Sequence, residues 1–239
     1  MQLTILGNYG PYPGPDGAVT GFLVSSDTTN IVLDLGNGSL VNYARHRRWD
    51  QLDAVILSHL HEDHIGDVSV LQYVRQYEPN CPAALYLPAT PADTSERIRG
   101  IRSLNTQLFE GKTGLKIGDM ELSFLPVVHP VETYAVRVRC KGKCMVYTSD
   151  TAYTEKLIPF AKGADLLLCE AGVLDEQTER KHIHMSVTEG CEIARRANVG
   201  HTVFCHLLAS NSFSAYQAEI NRCRDVRSEL ARCNVAYTF

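Results

Sequence analysis

No stretch of this 239-residue sequence comes near the roughly 20 consecutive apolar residues that cross a bilayer. The opening Met1-Gln2-Leu3-Thr4-Ile5-Leu6-Gly7 lacks the basic segment and long apolar core of an export signal. It reads as a first strand, so the cytoplasm is the expected location and no membrane is expected as a partner. Cationic excess is lacking too. Lys and Arg number 23 against 27 Asp and Glu, a net charge of −4, which argues against a strong nucleic-acid footprint over the whole surface. The local clusters Arg45-His46-Arg47-Arg48 and Arg222, Arg224, Arg227 and Arg232 read as solvated helix faces. No Pro-, Gly- or Ser-rich linker and no short repeat divides the chain, so one domain over 1–239 is expected. The eight cysteines lack the export context of a disulfide framework, and Cys140 and Cys144 lack the second pair of a zinc knuckle. Cys169 and Cys205 stand in apolar runs, which predicts buried free thiols.

What is there is the composition of an ordinary globular protein, 44% hydrophobic and 21% charged. Periodicity predicts strands over 2–6, 18–25, 30–35 and 53–57, a short strand over 85–87, and further strands near 120–128, 133–140, 144–149, 166–169 and 202–205. Helices are predicted over 38–48, from Ile65 to Tyr77, over 91–99, over 187–197, and as one long element from Ala215 to Arg232. Ser186 and Glu189 make a capping-box pattern before the fourth of these. The stretch Gly7 to Gly17, with three Pro and four Gly, is a loop, and Lys141-Gly142-Lys143 a hairpin turn. Two mixed sheets packed face to face with helices outside follow, an α/β (α+β) class in a four-layer αββα arrangement. The helix ending at Tyr77 carries Leu71, Tyr73 and Tyr77, an apolar face for packing on the sheet or for a homodimer.

The chemistry is concentrated in Ser58-His59-Leu60-His61-Glu62-Asp63-His64, directly after the apolar run 53–57. Three of the nine histidines fall within six positions there, and imidazole with carboxylate suits zinc and similar divalent ions. If the strand direction continues, His59 and His61 point to one side and can grip one metal, because side chains alternate with period two. Asp63 and His64 follow at a turn and can face a second metal. Three more metal-capable residues end predicted strands: His129 after Leu122–Val128, Asp150 after Met145–Ser149, and His206 after Val203-Phe204-Cys205. Side chains leaving a common sheet edge converge on one cleft.

These segments resemble, in order, the motifs of the metallo-β-lactamase superfamily: the HxHxDH signature at His59–His64, then Val128-His129, Thr148-Ser149-Asp150-Thr151 and Phe204-Cys205-His206, with Val32-Leu33-Asp34-Leu35-Gly36 similar to the Asp-x-Gly motif. The resemblance implies that His59, His61 and His129 bind one zinc, that Asp63, His64 and His206 bind another, and that Asp150 bridges the two, with a water or hydroxide between them. It implies a supporting role for Asp34 behind the ligands. Zinc is the default pair of ions, and manganese or iron suits the same donors.

Within that superfamily the chain looks like the ribonuclease Z-like branch. The Gly/Pro loop after the first strand and His184-Met185-Ser186-Val187-Thr188-Glu189 are similar to that branch, where this His protonates the leaving oxygen. The resemblance makes His184 the general acid, with His182 as its rival, Glu170 as a group to orient it, and Asp63 as acceptor of the proton of the attacking water. The long arm that tRNA-processing members insert between these motifs is absent, since His129 and Asp150 are 21 positions apart. The expectation is a dinuclear metal-dependent phosphodiesterase acting on a small phosphodiester or nucleotide-like substrate. The alternatives are a carboxyl-ester, thioester or lactone hydrolase on the same site, a tRNA 3′-processing endonuclease disfavoured by the missing arm, and a non-catalytic metal-binding protein disfavoured by the full ligand set.

Overall fold

A computed structural model describes every residue except 79, 110 and 112. Among the described residues fourteen strands form two seven-stranded sheets. The first sheet contains β1 (Gln2–Gly7), β2 (Gly21–Ser25), β3 (Asn30–Leu35), β4 (Ala54–Ile56), β5 (Ala84–Leu87) and β6 (Asn105–Leu108) in that order. The second contains β7 (Leu115–Ile117), β8 (Met120–Pro126), β9 (Tyr134–Cys140), β10 (Lys143–Tyr147), β11 (Leu166–Glu170), β12 (Thr202–Cys205) and β13 (Ser228–Leu230). The last strand, β14 (Ala236–Thr238), returns to the first sheet and lies antiparallel to β1. Both sheets are mixed: antiparallel where hairpins join neighbours, parallel where helices intervene, as between β3, β4, β5 and β6 and between β10, β11, β12 and β13.

Period-two alternation builds the layers. Along β3, Ile31 and Leu33 face the second sheet while Val32 faces helices, and the positive φ at Asp34 then breaks the alternation so that Leu35 also faces helices. Along β12, Val203 and Cys205 face the first sheet and Phe204 faces helices. Strands buried on both faces therefore read as continuous apolar runs. One core lies between the sheets. A second covers the outer face of the first sheet under α1 (Ser39–His46), α2 (Glu62–Ile65), α3 (Val68–Tyr77) and α4 (Ala92–Arg99). A third covers the outer face of the second sheet under α5 (Leu157–Phe160), α6 (Val187–Ala197) and α7 (Phe213–Arg222). This is the four-layer αββα sandwich expected.

Several local expectations change. The helix predicted from Ile65 to Tyr77 is two: α2 begins within the histidine motif, and a turn at Gly66 and Asp67 separates it from α3. Leu71 lies in the core under α3, so the exposed stripe on that helix is Val70, Tyr73 and Tyr77. The long helix predicted from Ala215 to Arg232 ends at Arg222, and Ser228–Leu230 forms β13. Its Arg, Glu, Leu and Ala favour helix, but pairing with the free edge of β12 and burial of Leu230 override that weak preference. β6 and β7 were not expected: each is only three or four residues long and largely exposed, with no apolar pattern to mark it. The capping box forms, with Ser186 Oγ accepting from Glu189 N and Glu189 Oε2 accepting from Ser186 N. All eight cysteines are free, and six of them are buried. Among the described residues no helix is long and apolar enough to cross a membrane.

Phe22 fills the space between the sheets, fully buried and edge-on to Tyr147 at 5.1 Å between ring centroids. Phe22→Ala should lower stability by about 3–5 kcal/mol, the range for emptying a core aromatic site, read from the midpoint of urea unfolding.

Candidate metal centre

The metal-capable side chains gather along one edge of the sandwich, where strands of both sheets run out. β4 delivers Ser58 to His61 from the first sheet, and α2 then turns Asp63 and His64 back toward the same point. From the second sheet, β8 leads to His129, β10 to Asp150 and β12 to His206. Three residues at these exits, Asp34, Ser149 and His206, hold positive φ angles of 54–55° without being glycine. Each such residue costs of order 1–3 kcal/mol, and such strain concentrates where function fixes a side chain.

Two donor groups form. Ring nitrogens of His59, His61 and His129 all lie within 4.8 Å of one another, as do one ligand atom each from Asp63, His64, Asp150 and His206. In the first group His61 Nδ1 is 3.2 Å from His59 Nε2 and 3.1 Å from His129 Nε2. In the second, His206 Nε2 is 3.2 Å from Asp63 Oδ2 and 3.1 Å from Asp150 Oδ2. Asp150 Oδ2 stands between the groups, 3.3 Å from His64 Nε2 on one side and 3.9 and 4.0 Å from His59 and His129 Nε2 on the other.

The donor sets fit divalent ions. Four ligands placed tetrahedrally about zinc at 2.0–2.1 Å stand roughly 3.3 Å apart, which matches the spacing of these nitrogens and oxygens. His64 Nε2 is buried with no hydrogen-bond partner although it faces Asp150 and Asp63. The opposite nitrogens are committed: His64 Nδ1 to Asp34 Oδ2 at 2.8 Å, His129 Nδ1 to the Ile183 carbonyl at 3.1 Å, His59 Nδ1 to Ser58 Oγ at 3.1 Å. Such bonds fix the tautomer that leaves the inward nitrogen with its lone pair. No cysteine joins any group of donors among the described residues.

Electrostatics agree. Burial, with His64 alongside, pushes His59 well below the usual histidine range, and burial lowers His61 and His129 as well. All three therefore stay neutral, the form that ligates. Burial opposes charge on His64 too, but Asp150, Asp63 and Asp34 outweigh it and hold that imidazole well above its ordinary value. Burial also works against ionised Asp63, yet His64 and His206 hold its carboxyl down at about 2. A centre that draws a proton onto His64 offers the same negative potential to a cation, and a metal there displaces that proton.

Asp34, fully buried, carries the support. Its Oδ1 accepts from Ser58 N at 2.6 Å, and its Oδ2 accepts from Ser58 Oγ at 2.8 Å, His64 Nδ1 at 2.8 Å and Tyr147 OH at 2.9 Å. Burial and the Asp34 charge push the Tyr147 phenol far up, so it remains a donor. Gly36 of the same motif approaches the Asp63 carbonyl so closely that a Cβ would not fit.

His184 lies against the cluster, its ring 5.2 Å from that of His206 and 5.5 Å from that of His129. Its Nδ1 bonds Glu170 Oε1 at 3.0 Å, and Glu170, fully buried, also accepts from Thr151 N and Gly172 N. His182 is exposed and makes none of these contacts. Burial disfavours charge on His184, but Glu170, with Asp150 and Asp63, more than offsets it and raises this imidazole to about 9.

Sequence reasoning missed Ser58, Tyr147 and Ser149, whose hydroxyls tie the ligands together, and Gly10. Gly10 N donates to the Leu207 carbonyl, and its Cα rests on the His206 ring, where an added Cβ would overlap the imidazole. The Gly/Pro loop was the available signal. Gly10→Ala should displace His206 and cut the zinc retained per chain after gel filtration, with the far-ultraviolet dichroism unchanged.

The model of the Beta-lactamase superfamily domain matches residues 29–207. Probable metallo-hydrolase YhfI of Bacillus subtilis is 31% identical over 212 residues, 87% of this chain and 87% of that protein. A crystal structure of YhfI superposes with a TM-score of 0.93 at 27% identity, over 99% of both chains. Ribonuclease Z of Mycobacterium bovis is 30% identical over 240 residues, covering 86% of this chain and 85% of its own length. The short form of human tRNase Z has the same fold, with a TM-score of 0.78 at 16% identity over 100% of this chain and 99% of that one.

Proposed function

This chain belongs to the beta-lactamase superfamily of metal-dependent hydrolases, and from that premise we propose that it is a two-metal phosphodiesterase acting on a small phosphodiester or nucleotide-like substrate. His59, His61 and His129 would hold one ion and Asp63, His64 and His206 the other, with Asp150 standing between the two donor groups. Two divalent ions in these donors supply a water acidic enough to attack at neutral pH and positive charge for the oxygens that gain electrons.

The chain's own groups handle the protons. Asp63 has a side chain 12% exposed against 3% for Asp150, so it is the carboxylate open to the cleft, and it takes the proton of the attacking water. His184 holds a proton at Nε2, the nitrogen not engaged by Glu170, and gives it to the departing alkoxide. Glu170 orients the ring and favours its charged form.

The observation that carries the phosphodiester reading is this Glu170–His184 pair beside the cluster. The metals alone suit a carbonyl as well as a phosphorus centre, whereas a cationic acid is required where the leaving alkoxide is poor. Similarity to a protein named ribonuclease Z supports the same class. The segment between His129 and Asp150 holds β9, β10 and a tight turn, with no arm to grip tRNA, which favours small substrates over tRNA 3′ ends.

His184→Ala should leave bound metal unchanged and lower turnover of an alkyl phosphodiester by about 10²–10⁴-fold, with a smaller loss on bis-p-nitrophenyl phosphate, whose leaving group needs no proton. Unchanged turnover of the alkyl diester, or an equal loss on both substrates, would remove the acid, and activity confined to lactones or thioesters would replace the phosphodiester by a carboxyl substrate. The acid works protonated, so its contribution is present below its pKa and lost as pH rises. Divalent ions bound in the cluster would pull that pKa down, so the alkaline limb for the alkyl diester should fall at or below about 9. It should vanish in His184→Ala.

A further inference from the structure

Four of the seven donors come from the first sheet and its connections, and three from the second. The two halves of the centre are therefore only as well registered as the contacts between sheets. Beside the donors, side-chain hydrogen bonds from Tyr147 and Ser149 cross between the sheets without involving a ligand. Tyr147, at the end of β10, sends its phenol across to Asp34 Oδ2 on β3 at 2.9 Å. Ser149, two residues on, donates to Ser58 Oγ at 2.6 Å. A backbone bond from Tyr134 N to the Ser58 carbonyl, 3.0 Å, runs in parallel.

We infer that Tyr147 is a positioning residue for the metal centre, which acts from the opposite sheet through Asp34 to aim the His64 imidazole. Asp34 Oδ2 accepts from both Tyr147 and His64, so the phenol fixes the oxygen that in turn fixes the ring. The ring of Tyr147 is fully buried and held edge-on by Phe22, so the hydroxyl has one place to go. Asp150, which faces both donor groups, follows Tyr147 by three residues. The same phenol thereby ties the end of β10, which leads to Asp150, to the strand bearing Asp34. The role differs from that of a ligand because Tyr147 belongs to neither group of metal donors and bonds Asp34 behind them. It is likewise distinct from simple packing, which the ring of a phenylalanine would satisfy.

This inference rests on the metal-centre part of the proposed function and is independent of the phosphodiester part. Tyr147→Phe keeps the ring and removes the hydroxyl. Tyr43→Phe is the control: Tyr43 is equally buried, and its hydroxyl bonds the Arg48 carbonyl at 3.2 Å under the helical layer. Zinc affinity of each full-length variant is read by competition with a chromophoric chelator. Tyr147→Phe should raise the free zinc needed for half-occupancy about tenfold, the lower end of the effect of groups behind metal ligands, while Tyr43→Phe leaves it at the wild-type value. Ser149→Ala should act in the same direction as Tyr147→Phe. Wild-type zinc affinity in Tyr147→Phe, or an equal loss in Tyr43→Phe, would overturn the positioning role. A wild-type chain that takes up no zinc would overturn the metal centre itself, and that outcome is separable from any result with substrates.

Discussion

The interaction on which this structure depends is the mutual attraction of buried carboxylates and imidazoles at one edge of a two-sheet sandwich. Asp34, Asp150 and His64 are all buried, and each would be costly to ionise alone. Together they offset one another: His64 bonds Asp34 through one nitrogen and faces Asp150 and Asp63 with the other. At an effective dielectric constant of about 20, opposite unit charges roughly 4 Å apart attract by about 4 kcal/mol, enough to outweigh the loss of water around such groups only when several contacts act at once. The cluster supplies several. Its negative balance around His64 is the property that makes it a cation site rather than a packed polar core.

The sandwich makes that cluster possible. Between the sheets the packing is apolar, from Leu3 and Ile5 to Val203 and Cys205. At the strand exits the alternation ends and the backbone turns, at Asp34, Ser149 and His206 through positive φ. Each turn redirects a side chain that would otherwise point into a sheet face, so that groups from two sheets meet. The helices behind the second sheet complete the arrangement. Ser186 caps α6, and the chain leading into that cap places Ile183 against His129 and His184 against His206. Loop, cap and strand end thus share a task that no single element performs.

Much of this was legible in the sequence because it is local. Strands buried on both faces show as apolar runs, and a metal-capable residue directly after such a run is visible at His59, His129, Asp150 and His206 without knowledge of the fold. Asp34 was legible only through resemblance, since an Asp near a strand end usually caps backbone. Tyr147 and Ser149 were not legible: a tyrosine in an apolar strand reads as core, and nothing in the sequence says that its hydroxyl meets a carboxylate from the other sheet. Register between sheets is a tertiary fact. β13 and β14 were lost for a related reason, being three residues each and made by pairing with an edge rather than by their own pattern.

The position of His184 relative to the cluster bears on what the cleft can process. Its ring stacks on His206, and that of His206 stacks on His64 on its other side, at 5.2 and 5.3 Å between centroids. A row of three imidazoles, His64, His206 and His184, runs outward from the donors, with Glu170 anchoring the outer one. Negative charge at Glu170 keeps that outer ring cationic, while the donors of the first metal group are kept neutral by burial. The same residue type is thus pushed in opposite directions within one site, upward at His184 by Glu170 and downward at His59 by burial. A hydrolase of activated carbonyl compounds has little use for the acid end, because its leaving groups depart without a proton. A diester of an ordinary alcohol requires it, and on that difference the proposed reading prefers phosphorus to carbonyl.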